Sequence, residues 1–129
     1  MLFSLFLMTG CENNDFLQSE STVNAKLNGT WKRYLSTDPK QSWEMSNGSL
    51  KITQYGGPED TIKFVDYGHY TVLTKFSKIF VTFSDITNLN LEPGDLNTRW
   101  NISELTGGVL YLSTTSQSGS VIAREFVKQ

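Results

Sequence analysis

The chain has 129 residues, of which 38% are hydrophobic, 12% aromatic and 19% charged, with a formal net charge of −2. That is enough chain for one domain and not for two. Mild acidity argues against a nucleic-acid binder, which carries a basic face. One His and one Cys are too few for a zinc site or a disulfide framework, and no apolar run of about 18 residues is present to cross a membrane as a helix.

In chain order, the sequence opens Met-Leu-Phe-Ser-Leu-Phe-Leu-Met-Thr-Gly-Cys. Residues 2–8 are apolar apart from Ser4, Thr9 and Gly10 are small, and Cys11 follows at once. The stretch Leu7-Met8-Thr9-Gly10-Cys11 resembles the lipobox of bacterial lipoprotein signal peptides, in which small residues let a peptidase reach the bond before the Cys. The resemblance implies a signal peptide over 1–10 and Cys11 as the first mature residue, acylated on its thiol and amine. It also implies residence on the outer membrane of a Gram-negative bacterium, on the periplasmic or cell-surface face. Two or more acyl chains anchor a protein stably, whereas one does so only marginally. The alternative is an ordinary N-terminus with a free or buried Cys. Residues 12–26 are polar and short of aromatic residues. They read as a flexible tether of about 20 Å r.m.s. length, so that 11–26 links the lipid to a domain over 27–129.

From Leu27 onward, apolar and polar residues alternate in runs of strand length. Eight runs are expected as strands: 31–35, 49–55, 61–67, 69–76, 78–84, 99–103, 109–113 and 121–127. Tyr70, Val72 and Phe76 fall on one face of their run, and Ile79, Val81 and Phe83 on one face of theirs. Asn47-Gly48, Gly56-Gly57-Pro58, Tyr67-Gly68, Pro93-Gly94-Asp95, Gly107-Gly108 and Ser118-Gly119 supply reversals between them. No helix template stands out, although 38–46 or 86–92 has room for one turn. Eight short strands joined this way predict an all-β fold, a single antiparallel up-and-down barrel whose closure hides the edges. A β-sandwich is the alternative.

Gly29-Thr30-Trp31 at the head of such a meander resembles the Gly-x-Trp signature of lipocalins. The resemblance extends over roughly 27–128 and implies a Trp31 packed across a closed barrel end. It also implies Arg124, from the last strand, stacked over that ring as a cation–π pair. On this reading Gly29, Trp31 and Arg124 close the barrel and touch no ligand.

Other residues are weighed from their neighbours. His69 lacks any nucleophile in the sequence, and Glu59 with Asp60 point to opposite faces as a strand would place them. No phosphate loop, nucleophile motif or metal spacing is present, so the chain is expected to be non-enzymatic, without cofactor or metal. The aromatic residues exceed what a small core needs, and Trp43, Tyr55 and the outward-facing Phe80 are the candidates for contact with a ligand or partner. Asp60-Thr61-Ile62 resembles a bacterial O-glycosylation motif, which implies a sugar on Thr61. The expected function is a lipoprotein that binds a small apolar ligand or a protein partner. The main alternative is a filled barrel serving as an accessory subunit of an outer-membrane protein complex. A protease-inhibitor lipoprotein using 85–96 as a reactive loop is a further alternative.

Overall fold

The computed structural model describes residues 19–34 and 40–129. Cys11 and the rest of the lipobox lie outside the described residues. Strands β1 (Gly29–Arg33), β2 (Lys40–Ser46), β3 (Ser49–Gly56), β4 (Thr61–Lys75), β5 (Lys78–Ser84), β6 (Arg99–Leu105), β7 (Val109–Thr115) and β8 (Val121–Lys128) follow one another around a closed barrel. Every pairing is antiparallel, and β8 returns to β1 with Trp31 opposite Lys128 and Arg33 opposite Phe126. That last ladder leaves no open edge and decides between barrel and sandwich.

The chain divides differently from the expected runs. Residues 61–67 and 69–76, read as two strands, are the single 15-residue β4. Gly68 is therefore not a reversal. It lies buried where β4 passes from its pairing with β3 to its pairing with β5. A Cβ there would sit 2.8 Å from the Ser84 carbonyl oxygen and 2.9 Å from Ile86 Cγ1. Only glycine lets the chain leaving β5 cross so close to β4. Conversely, β2 (Lys40–Ser46) is absent from the expected strands and falls in 38–46, one of the two stretches with room for a helical turn. Its inward positions are Gln41, Trp43 and Met45, and the polar first member masks the alternation.

Turn chemistry follows the residues. Asn47 and Gly48 have φ of 48° and 90° between β2 and β3, the mirror-image turn that suits a twisted hairpin. Phe76 and Ser77 adopt the same left-handed geometry between β4 and β5, at φ 50° and 62°. Without glycine, each such residue costs about 1–2 kcal/mol. Phe76 thus leaves the inner face expected for it and stands 84% exposed at the hairpin tip.

The interior is filled. Trp31, Trp43, Trp100, Phe83, Phe126, Met45, Leu50, Ile52, Leu110 and Leu112 are each 2% exposed or less. The Trp43 ring lies 4.8 Å from Phe126 and 5.4 Å from Phe83, edge-on to the latter. At one end, helix α1 (Glu20–Leu27) lies over the barrel and buries Val23 and Leu27 completely. Part of the expected tether is therefore structured. Ser19 caps the helix by accepting from the Thr22 amide, and Val23 and Leu27 share one face four residues apart. Two large apolar side chains in eight residues gave too weak a pattern to announce a helix. The opposite end is covered by residues 85–98, with a 3₁₀ turn (Leu89–Leu91) and a short helix α2 (Pro93–Leu96). Ile86, Leu91 and Leu96 are buried beneath it.

Candidate functional site

The two ends of the barrel are closed by the same local device. Trp31 Nε1 donates to the Leu27 carbonyl at 2.8 Å, and Trp100 Nε1 donates to the Leu96 carbonyl at 3.2 Å. Each carbonyl belongs to the last residue of a covering helix, so a core indole satisfies a helix-end acceptor. The residues after each leucine repeat the pattern, Leu27-Asn28-Gly29-Thr30-Trp31 and Leu96-Asn97-Thr98-Arg99-Trp100. Both asparagines bracket another segment. Asn28 accepts from the Asn47 amide at 2.9 Å and donates to Asn47 Oδ1 at 3.2 Å. Asn97 accepts from the Ile86 amide at 3.1 Å and donates to the Ile86 carbonyl at 2.7 Å. The paired Leu-Asn-x-x-Trp spacing was a legible signal that a search for known motifs passes over.

The cation over Trp31 is Lys128, with Nζ 5.2 Å from the ring centroid. This corrects the expected pairing with Arg124. The β1–β8 register sets Lys128 directly opposite Trp31, while Arg124 lies four residues back along β8, near the other end. Gly29 serves this arrangement, because a Cβ would meet Lys128 Cε at 2.5 Å.

Arg124 instead helps line a cavity of about 220 Å³ at the loop end, with Arg33, Gln41, Trp43, Gln54, Asn90 and Glu92. Four strands change from apolar to polar one inward step before this mouth: Trp31 to Arg33, Trp43 to Gln41, Ile52 to Gln54, and Phe126 to Arg124. Trp43 Nε1 donates to Gln41 Oε1 at 3.0 Å, and Gln41 Nε2 donates to Gln54 Oε1 at 3.2 Å. Arg124 Nη1 donates to the Ala123 carbonyl at 3.1 Å. Trp43 is therefore a core residue whose ring forms the floor of a polar mouth.

The remaining candidates are dispersed. Tyr55 lines an adjoining depression of about 400 Å³ with Lys32, Arg33, Lys40, Gln41 and Asp60, sharing Arg33 and Gln41 with the mouth. Phe80 lies half-buried outside the barrel, with the Arg99 guanidinium 4.4 Å from its ring centroid. Thr61 is exposed at the start of β4 beside Asp60. Asp60 pairs with Lys40 at 2.7 Å, and the hydrogen bond and charge of that lysine hold its carboxyl below the ordinary range. His69 Nδ1 lies 2.9 Å from Asp85 Oδ2, with both side chains open to solvent.

Residues 85–96, the candidate reactive loop of the protease-inhibitor alternative, are folded onto the barrel, with Ile86, Leu91 and Leu96 buried. Asp66 ties them down, accepting from Thr87 N at 3.0 Å, Asn88 N at 2.9 Å and its neighbour Tyr67 N at 2.9 Å. Partial burial raises the Asp66 pKa, but the three amides together outweigh it and leave the group below the usual carboxylate range. Tyr70 is pushed above its ordinary value by burial, with an opposing pull from the Gly48 amide.

Two further depressions exceed the mouth in volume. One of about 700 Å³ forms a notch at the helix end, lined by Lys26, Ser77, Lys78 and the end of β6. Another, of about 570 Å³, runs between α1 and β4. Among the described residues, no group of three His, Cys, Asp or Glu side chains is placed to hold a metal. Compared with known proteins, the chain matches no family model, no curated protein and no solved structure.

Proposed function

We propose that this chain is a non-enzymatic, lipid-anchored lipoprotein of a Gram-negative outer membrane, built on a lipocalin-like barrel and acting by binding. The filled interior carries the choice between its forms. Three tryptophans and two phenylalanines occupy the space where an apolar ligand would lie, and the inward-facing mouth at the loop end is small and polar. Lipid-sized cargo needs a larger apolar cavity, of roughly 300 Å³ or more. Recognition then falls to the outer surface and loops, which favours an accessory subunit of a membrane protein complex over an apolar-ligand carrier.

Helix α1 supports the anchoring geometry. Only residues 12–18 separate Cys11 from the Ser19 cap, a reach of at most about 28 Å when fully extended. The helix end of the barrel then faces the bilayer, and the loop end faces away with residues 57–60, 85–98 and 116–120. Thr61, at the outer end, is accessible for the proposed glycan.

Isolation of the native protein from membranes in mild detergent, followed by cross-linking and mass spectrometry, tests this reading. Outer-membrane proteins cross-linked at the loop end in fixed proportion are the expected result. A lone protein carrying a bound apolar small molecule would overturn the subunit form.

A further inference from the structure

We propose that the helix end is a bilayer-docking surface, with Phe76 as a wedge that enters the interface of an anionic membrane. The inference rests on the anchoring at Cys11 and adds a second contact to it. Phe76 is among the most exposed apolar side chains of the described residues, at 84%, and it projects from the β4–β5 hairpin tip. It is held in left-handed backbone geometry, which a bulky side chain adopts only against a steric cost. Such strain kept at an exposed tip is a mark of use.

Charge selects the occupant. Lys75 and Lys78 flank the tip, with the Lys75 ammonium 5.3 Å from the Phe76 ring centroid. Lys26 of α1 lines the same notch as Ser77 and Lys78, and Lys128 ends β8 on this side. Two carboxylates oppose these four lysines, Glu104 in the notch and Glu20, whose Oε2 accepts from the Thr74 amide. The other end has no such excess, since Arg33, Lys40 and Arg99 at its strand ends and Arg124 at its mouth offset its carboxylates, Lys40 by pairing with Asp60 at 2.7 Å. Its loops 57–60, 85–98 and 116–120 carry Glu59, Asp60, Asp85, Glu92 and Asp95 and no Lys or Arg. A basic helix end opposite a charge-balanced far end turns the molecule on an anionic surface with the Phe76 tip downward. An aromatic ring between lysines suits the headgroup boundary, where the ring enters the acyl margin and the ammonium groups stay wet. One ring and a few lysines bind weakly alone. Beside a lipid anchor the contact forms at high effective concentration and fixes orientation.

The test uses the chain from residue 11 with Cys11→Ser, so that vesicle binding is read without the lipid. The probes are vesicles of phosphatidylglycerol with phosphatidylethanolamine, and of phosphatidylcholine alone. Binding to the anionic vesicles, weakened about tenfold by Phe76→Ser and lost in 0.5 M sodium chloride, is expected. Phe76→Trp should be quenched by phospholipids brominated near the headgroup, while Ser118→Trp at the far end should not. Equal binding by the Phe76→Ser protein, or quenching at position 118 and not at 76, would overturn the proposal. Since Cys11 is absent from these proteins, failure here is distinct from failure of the lipid-anchor reading, which the mass of the native chain decides.

Discussion

Removing the Asp66 carboxylate should loosen the cover over the loop end. Asp66→Ala deletes the acceptor of three backbone amides, two of them across the barrel wall at Thr87 and Asn88. Hydrogen bonds to a charged group contribute about 1.5–3 kcal/mol each when sheltered. These amides are partly open to water, which replaces some of the loss, so about 1 kcal/mol each is the better figure. The expected destabilisation is about 2–3 kcal/mol at pH 7, or about 10 °C in melting temperature for a domain of this size. The pH dependence has a fixed sign. The folded pKa is depressed, so the stabilisation is complete above the unfolded value near about 4 and is lost as pH falls through the folded value. Urea unfolding of both proteins from pH 7 down to about pH 2.5 measures it. The gap between wild type and Asp66→Ala should shrink steadily below about pH 4. A gap under about 0.5 kcal/mol at pH 7, or one that does not change with pH, would refute the reasoning.

Gly68→Ala should destabilise by about 1–3 kcal/mol, since the added methyl meets the Ser84 backbone carbonyl and the buried Ile86 side chain; thermal unfolding checks it, and a neutral result would mean that the β4–β5 crossing adjusts. Leu27→Ala should cost about 2–5 kcal/mol, as for a buried core leucine, with hydrogen exchange quickening first in α1. An effect below about 0.5 kcal/mol would return residues 20–27 to the role of a tether. Replacing Phe76 by Asn and Ser77 by Gly should raise stability by about 1 kcal/mol or more, because both residues suit φ above zero. A fall in stability would show that the tip contributes contacts beyond its backbone geometry.

The barrel was legible because its two signals are local and agree. Apolar residues alternate along the strands, and Asn47-Gly48, Gly107-Gly108 and Ser118-Gly119 mark reversals between them. The number of strands came out right through two opposite errors. Gly68 reads as a turn in sequence, but its role is a close approach to Ser84 and Ile86, which only the fold defines. β2 was hidden because its inner row begins with Gln41, and the reason for a polar residue there is the mouth it lines. Helix α1 has two buried apolar residues, enough to cover a barrel end that already exists but not to announce a helix alone. The identity of the cation over Trp31 depends on register, which sequence does not fix for a long-range pair such as β1 and β8. The repeated Leu-Asn-x-x-Trp and the change from apolar to polar one inward step before the mouth were both present in the sequence. They acquire meaning only when strand direction is known.

The most direct test of the anchoring on which the proposed function depends is the intact mass of the native protein recovered from the membrane fraction. The account predicts a chain that begins at Cys11 and carries acyl chains on that residue. A protein found in the soluble fraction with Cys11 unmodified would contradict it.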